Sequence, residues 1–160
     1  MDKETRTRLI QRYGDGPEVL WTAWDECPSE ARNWKPSSDA WSVHEIVIHC
    51  ADSETFAFTR IRLLNAEPQP IIVGYDQDAW VRSFGYEHLP VDLALATIAA
   101  VRASTFHLIQ RLDNLAWNAS GNHLESRPYT ATDWLATYAA HLHDHADQIR
   151  SNVEQWRGHQ

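Results

Sequence analysis

Apolar residues recur three or four positions apart along four long stretches of the chain, a spacing typical of amphipathic α-helices. The first stretch runs from about Asp2 to Glu26, and its apolar stripe includes Leu20, Trp21 and Trp24. The run Gly14-Asp15-Gly16 predicts a break in this helix, because glycine is a poor helix former. Pro17 then suits the first turn of a helix that restarts there.

The second stretch has a well-defined start. Ser42-x-x-Glu45 forms a capping box, in which the hydroxyl accepts from an early backbone N–H and the glutamate reaches back to the cap. The helix should end near Ala66, before Pro68 and Pro70. Its apolar positions are mostly three or four residues apart: Ile46, Cys50, Ala57, Ile61 and Leu64.

Two long connections separate the remaining helices. Residues 67–89 form the first, with a short helix expected around Asp76 to Phe84. The third long helix is expected from about Pro90 to Asp113. A connection from Asn114 to Tyr129 leads to the fourth, which begins at the cap Thr130-x-x-Asp133 and runs to about Trp156. The expected buried side of the third helix is Leu93, Ala96, Ala100, Phe106, Ile109 and Leu112.

Four helices of about 25 residues predict an all-α fold, a four-helix bundle in a single domain spanning residues 1–160. Each helix would be roughly 37 Å long, so parallel neighbours need a connection that returns over that whole length. Residues 67–89 are long enough to do so, whereas a short turn is not. The expected topology is therefore up-down-down-up, with the second and third helices parallel.

Composition narrows the function classes. The chain is 43% hydrophobic with eight tryptophans, which excludes a disordered chain. A net charge of −8 without a basic cluster argues against a nucleic-acid partner. The N-terminal segment is too polar for a signal peptide, and the longest apolar-rich run, Leu93 to Val101, is too short to span a bilayer. We therefore expect a cytoplasmic protein with no membrane partner, in which Cys27 and Cys50 are free thiols.

Two histidines offer the clearest candidate chemistry. His141 and His145 lie one helical turn apart, so both imidazoles share one face and can bind a single divalent metal ion. His143 lies about 200° around the helix from His141 and should point elsewhere. A third ligand must come from another element. His49 of the second helix is the candidate, with His44 as its competitor at the very start of that helix.

Two other metal motifs fail on spacing. His44-Glu45-x-x-x-His49 has one residue more than the metalloprotease motif HExxH, so its histidines would diverge. Di-iron bundles need Glu-x-x-His motifs from two helices, and none of the nine histidines has a glutamate three residues before it.

The order of several short motifs resembles the DinB/YfiT-like superfamily of metal-dependent enzymes. The motifs are Trp41-Ser42, His49-x-Ala51-Asp52-Ser53 and His141-x-x-x-His145-x-x-Gln148-Ile149, with Cys27-Pro28-Ser29-Glu30 leading to the second helix. The resemblance implies an up-down-down-up bundle, often a homodimer. It also implies one divalent metal ion held by His49, His141 and His145. The ligand set does not choose between zinc, nickel and iron.

The resemblance also indicates an enzyme acting on a small molecule. Some members of the superfamily transfer low-molecular-weight thiols, and metal-assisted hydrolysis is the nearest alternative. Glu45 and Asp52 are candidates to orient an imidazole or act as a base. Cys50 is expected to pack, not to ligate, and Trp80 could cover a substrate pocket. Two further hypotheses remain: a non-catalytic, stress-associated metal-binding dimer, and a bundle whose histidines bind nothing.

Overall fold

Five α-helices make up most of the protein, which a computed structural model describes over residues 1–123 and 128–159. The helices are α1 (Lys3–Asp25), α2 (Val43–Ala66), α3 (Gln77–Phe84), α4 (Val91–Ile109) and α5 (Ala131–Gly158). Three short strands lie in the connections: β1 (Ile71–Ile72), β2 (Ser120–His123) and β3 (Tyr129–Thr130). The four long helices form the bundle, as the sequence predicted.

Both expected capping boxes are confirmed. The Ser42 hydroxyl accepts from the N–H of Glu45, and the Glu45 carboxylate accepts from the N–H of Ser42. Thr130 and Asp133 make the same reciprocal pair at the start of α5. These pairs satisfy backbone donors that a helix start otherwise leaves without a partner.

The up-down-down-up topology follows from which residues meet along each pair of helices. Glu54 of α2 contacts Arg102 of α4, and Arg62 farther along α2 contacts Thr105 farther along α4, so these helices are parallel. The connection over residues 67–89, which contains α3, makes this parallel return possible.

The other two helices of the bundle are parallel to each other and antiparallel to α2. Tyr13 of α1 packs on Trp134 of α5, and Gly16, later in α1, lies against Leu142, later in α5. The two helices therefore run in the same direction. Trp134 also donates to the carbonyl of Ala57, whereas Asn152 near the end of α5 donates to the carbonyl of Trp41 before α2 begins.

The predicted break in the first helix is wrong. Helix α1 continues through Gly14, Gly16 and Pro17 because the glycines face neighbouring helices at close approach. A Cβ atom on Gly14 would lie 2.8 Å from the ring of Phe106, and one on Gly16 would meet Arg102 and Leu142 at 3.1–3.2 Å. The glycines therefore serve helix packing. In the predicted stripe Leu20 is buried, but Trp21 is 47% exposed.

The predicted buried side of the third helix is confirmed at Phe106, Ile109 and Leu112, which pack in the core, but is wrong nearer the start of the helix. Helix α4 ends at Ile109, not near Asp113, and Leu93 is 62% exposed while Ala96 and Ala100 also face solvent. The face that packs into the bundle includes the polar residues Arg102 and Thr105. A prediction from apolar residues alone therefore assigns the wrong residues to this face. Its buried members are Ala94, Leu95, Ile98, Arg102, Thr105 and Ile109.

By length and composition alone, α4 is apolar enough to cross a membrane, although the sequence argument found no run long enough. In the fold it is a bundle helix, and 33% of its most apolar window is buried. Its Arg102 forms a buried ion pair with Glu54 of α2. This pairing is typical of a helix that packs inside a protein.

A small sheet joins the two long connections. Strand β1 pairs in parallel with β2, and β2 pairs in antiparallel with β3. Gly121 is required in β2, because a Cβ there would lie 2.6 Å from the carbonyl oxygen of Pro70. The sequence did not predict this sheet, whose strands have only two to four residues.

Candidate metal centre

Three histidines from two antiparallel helices meet inside the bundle. His49 lies on α2, and His141 and His145 lie one turn apart on α5. One possible ligand atom from each ring lies within 4.8 Å of the others. Ring centroids are 4.6 Å apart for His141 and His145, and 4.9 Å and 5.6 Å from His49 to His145 and His141. The group could hold one metal ion.

A buried carboxylate orients the ring of His141. Its Nδ1 lies 3.1 Å from Oε1 of Glu54, a side chain that is 1% exposed. Burial alone would raise the pKa of Glu54, but Arg102 and His141 outweigh burial and lower it. The ionised carboxylate accepts a hydrogen bond from Nδ1–H, which leaves the lone pair of Nε2 for another partner.

His145 is oriented in the same way by an amide. Its Nδ1 lies 2.8 Å from Oε1 of Gln148, one turn later on α5. An amide oxygen only accepts, so Nδ1 donates and Nε2 again presents its lone pair. Two of the three rings are thereby fixed in the tautomer that suits a metal ligand.

His49 is held by burial and by an aromatic neighbour. It is 1% exposed, and its ring centroid lies 4.7 Å from that of Trp41. Its Nδ1 is buried with no hydrogen-bond partner among the described residues. A buried polar atom without a partner is costly, and a metal ligand is one role that accounts for such an atom. The residues present therefore fit a divalent metal ion.

Two of the three histidines are held in their neutral form. Burial, with a smaller contribution from repulsion by the neighbouring imidazoles, lowers the pKa of His49 to about 2 and that of His145 to about 4. Neutral imidazole is the form that binds a metal ion.

Arg102 fixes the carboxylate that orients His141. Its Nε and Nη2 donate to the two oxygens of Glu54 at 2.7 and 2.8 Å, and the side chain is 1% exposed. Nη2 also donates to the carbonyl of Tyr138, and Nη1 to that of Tyr13. In a regular helix the Tyr13 carbonyl would accept from the N–H of residue 17, but Pro17 has none. The arginine satisfies the carbonyl that the proline leaves open.

The acidic candidates near His49 contact other groups. Glu45 accepts from Lys35 Nζ at 2.7 Å and from the backbone of Ser42 at 2.8 Å, so its known contacts belong to the helix start. Asp52 accepts a short hydrogen bond from the hydroxyl of Tyr86, in the turn after α3. Burial raises the pKa of Asp52, an effect that this hydrogen bond partly offsets. A role for either residue stays a prediction.

The remaining candidates from the sequence lie outside the cluster. His44 contacts the carbonyl of Leu89, and His143 that of Arg12, and neither belongs to the group of three ligand atoms. Cys27 and Cys50 are free thiols, as expected, and both are buried. Burial raises the pKa of Cys50 well above its ordinary value, which disfavours the thiolate.

Sequence reasoning missed Glu54 and Arg102, although a signal for Glu54 was present. The apolar stripe of α2 has a seven-residue gap between Cys50 and Ala57, and Glu54 occupies the missing helical position. A charged residue inside an apolar stripe indicates a buried charge with a partner. Its partner on another helix could not be identified from spacing within α2.

A cleft of about 220 Å³ lies beside the cluster, lined by residues that include Ser53, Arg60, Tyr75, Tyr138 and His141. Trp80 belongs to an aromatic group next to it, 4.6 Å from Tyr75 and 5.6 Å from Phe56 between centroids. This position is consistent with the predicted covering role. A larger surface groove, about 1260 Å³, runs along α1 to His143 and includes none of the three histidines.

Known proteins resemble this chain over most of its length. A relative from Oceanobacillus iheyensis is named "Putative metal-dependent hydrolase". It is 27% identical to this chain over an alignment that covers 89% of this chain and 82% of the relative. A relative of the same name from Bacillus mycoides is 25% identical over 93% of this chain and 86% of its own.

The fold also matches a solved structure. YfiT from Bacillus subtilis is described as a probable metal-dependent hydrolase with an unusual four-helix bundle topology. The two structures superpose with a TM-score of 0.90 over 98% of this chain and 90% of YfiT, at 22% identity. The family model of the DinB superfamily matches residues 12–149. Because that match spans most of the chain, the protein belongs to the DinB superfamily.

Proposed function

We propose that His49, His141 and His145 hold one divalent metal ion and that the protein is a metal-dependent enzyme acting on a small molecule. The observation that supports this most directly is the meeting of three ligand atoms, from two helices, within 4.8 Å. Three protein ligands leave a coordination position open, which is typical of catalytic sites and not of structural ones. The ligands do not identify the metal, and zinc, nickel and iron all accept imidazole.

The residues around the histidines have the roles that such a site requires. Glu54 and Gln148 hold two rings in the ligand tautomer, and Arg102 keeps Glu54 ionised and in place. Trp41 packs on His49 and shields it from water. When bound, the ion would supply Lewis acidity and favour the deprotonated form of a thiol or of water.

We favour transfer of a low-molecular-weight thiol to an electrophile. In that reaction a carbon–sulfur bond forms, the bond to the leaving group breaks, and the thiol proton ends on the leaving group or the solvent. Three neutral ligands leave the full charge of the ion uncompensated, which favours an anionic fourth ligand such as a thiolate. Metal-assisted hydrolysis is the second candidate, and the names of the two relatives and of YfiT favour it.

Metal analysis combined with two assays tests this proposal. Protein purified without an affinity tag should contain about one metal equivalent per chain, and His145→Ala should lose it. His143→Ala is the matched control, because His143 lies on the same helix and its ring bonds to the Arg12 carbonyl. Thiol conjugation to an activated aryl halide and hydrolysis of an activated ester should be compared in the loaded protein and after chelation.

The outcomes separate the hypotheses. Metal-dependent conjugation supports the thiol transferase, and metal-dependent ester cleavage alone supports the hydrolase. Bound metal without either activity across a panel of thiols and esters favours the non-catalytic metal-binding bundle. A wild-type protein that binds no metal after reconstitution contradicts the proposal.

We further propose a homodimer and a cytoplasmic location, with no nucleic-acid or membrane partner. The exposed apolar residues of α4, such as Leu93, are consistent with a protein contact. Light scattering on the purified protein would show a mass of two chains, whereas a single-chain mass at micromolar concentration would contradict the dimer.

A further inference from the structure

Arg60 shares a cleft with His141 and has no anionic partner among the residues that the structure describes. It is half-buried on α2, one wall of the cleft that His141 also lines. Its Nη1 donates to the Tyr138 hydroxyl at 2.8 Å, and its Nη2 donates to the carbonyl of Val73 at 2.5 Å. Within the described residues no carboxylate forms an ion pair with it. A partly desolvated charge without a counter-ion is unfavourable, so a ligand that supplies one would bind there.

Donors on Arg60 remain for such a ligand. A guanidinium has five N–H groups, and the two hydrogen bonds above use two of them. Nε is buried and has no hydrogen-bond partner among the described residues. The Tyr75 hydroxyl and Ser53 line the same cleft and interact with each other. The N–H groups of Arg60 that have no partner could therefore donate to an anion with two oxygens.

The carboxylates nearest the cleft do not fill this role. Glu54 is bound by both arms of Arg102 and by His141, and Asp52 accepts from Tyr86. Neither contacts Arg60. The positive charge of Arg60 is thus left for a molecule that enters the cleft.

We propose that Arg60 binds a carboxylate of the substrate in this cleft, and so selects small molecules with a carboxylate near the reacting atom. The proposal rests on the proposed function for the reaction itself, but not for the binding of the carboxylate. The planar fork of an arginine matches the two oxygens of a carboxylate. A cleft of about 220 Å³ is smaller than the sites that hold drug-sized ligands, and suits a compact acid.

Arg62 provides a matched control two residues away. Each arginine lies over the phenylalanine one turn before it, Arg60 at 5.3 Å from Phe56 and Arg62 at 3.3 Å from Phe58. Arg62 instead contacts the carbonyl of Phe58 and the hydroxyls of Ser104 and Thr105, on the side of α4. Arg62→Gln removes the same charge from the same helix without touching the cleft.

The experiment follows the Nε–H signal of Arg60 in nitrogen-15 NMR spectra, assigned by its loss in Arg60→Gln. Acetate is added to the metal-free protein, with inorganic phosphate at equal ionic strength in a parallel titration. Mercaptoacetate and its neutral counterpart 2-mercaptoethanol are then compared in zinc-loaded protein. We expect acetate to shift the Arg60 signal, and mercaptoacetate to bind about tenfold more tightly than 2-mercaptoethanol, the effect of one charge-assisted interaction.

The variants show whether Arg60 itself is responsible. Arg60→Gln should abolish the preference for mercaptoacetate, Arg60→Lys should keep part of it, and Arg62→Gln should keep all of it. Unchanged zinc content and helical content show that each variant is folded. If Arg60→Gln unfolds, the wild-type signal is assigned by its loss in Arg60→Lys, which has no guanidinium, and that variant still decides the question.

Several results would overturn the inference. Equal binding of the two thiols with an unmoved Arg60 signal would contradict the carboxylate site while leaving the proposed function intact. A larger shift with phosphate than with acetate would contradict the assignment to a carboxylate. Conversely, an acetate-induced shift in a protein that binds neither zinc, nickel nor iron would support the carboxylate site and contradict the metal-dependent function.

Discussion

Helix α2 has two buried glutamates, nine residues apart, whose surroundings differ in a useful way. Both are 1% exposed and both pair with a cation, Glu45 with Lys35 and Glu54 with Arg102. Glu45 also accepts from the backbone at the helix start, whereas Glu54 also contacts the ring of His141. Burial and ion pairing are common to both glutamates and therefore do not identify the functional one. The contact with His141 distinguishes Glu54 from Glu45.

The cations differ as much as the carboxylates. The Lys35 side chain is 38% exposed and reaches Glu45 from the surface, whereas the side chain of Arg102 is 1% exposed. A surface partner can be replaced by water, but a buried one cannot. The start of α2 should tolerate changes that the middle of α2 does not, and four predictions test this difference.

The largest effect should come from Arg102→Met. This change leaves the Glu54 carboxylate buried without a cation and removes donors from the Tyr13 and Tyr138 carbonyls. We expect the free energy of unfolding to fall by about 3–5 kcal/mol, measured by denaturant titration. Lys35→Met, its counterpart at the helix start, should cost under about 1 kcal/mol. Similar losses for the two variants would remove the distinction between the regions.

The next effect is the response of the metal-free protein to acid. The pKa values of His49 and His145 are lowered by burial, to about 2 and about 4. As the pH falls below about 6.5, the unfolded chain therefore binds protons that the native state does not, and native stability decreases. We expect a loss of about 2–4 kcal/mol between pH 7 and pH 5. A double variant, His49→Gln with His145→Gln, should flatten this dependence, and an equally steep profile in it would contradict the assignment.

Glu54→Gln should weaken metal binding, and the expected loss of binding free energy is about 1.4–2.7 kcal/mol. The change is nearly isosteric but removes the charge that fixes His141, so we expect metal affinity to fall 10–100-fold in competition with a chelator. Glu45→Gln should leave metal affinity within about twofold, because the known contacts of Glu45 lie at the helix start. A loss of affinity in both variants would indicate a general effect of weakening α2.

The smallest effect should be that of Ser42→Ala. It removes the cap hydroxyl that accepts from Glu45 N–H and should lower the free energy of unfolding by about 1 kcal/mol. Metal content should not change. A drop in metal content would mean that the start of α2 also positions His49, so that the two regions of the helix are not independent.

Much of the bundle was predictable because its signals are local. The caps at Ser42 and Thr130 depend on residues three apart, and the helical spacing of His141 and His145 places both rings on one face. The length of the connection over residues 67–89 predicted the parallel return. Each of these inferences needs only one segment of the chain.

The predictions that were wrong or missing concern features that depend on contacts between distant segments of the chain. Gly14 and Gly16 looked like a helix break, yet they let α1 approach Phe106 and Leu142. The pairing of Glu54 with Arg102 joins residues 48 apart, and without it the buried face of α4 was misplaced toward Leu93. The three-stranded sheet was missed because strands of two to four residues have no readable periodicity.

The central claim is that one metal ion is held by His49, His141 and His145, with Glu54 acting through His141. An anomalous difference map from crystals of the untagged protein, recorded on both sides of the absorption edge of its metal, tests this directly. The account predicts one peak within about 2.0–2.2 Å of a nitrogen from each of the three rings, with Glu54 bonded to His141 and not to the ion. A peak that lacks His49, or one on other residues, would contradict it.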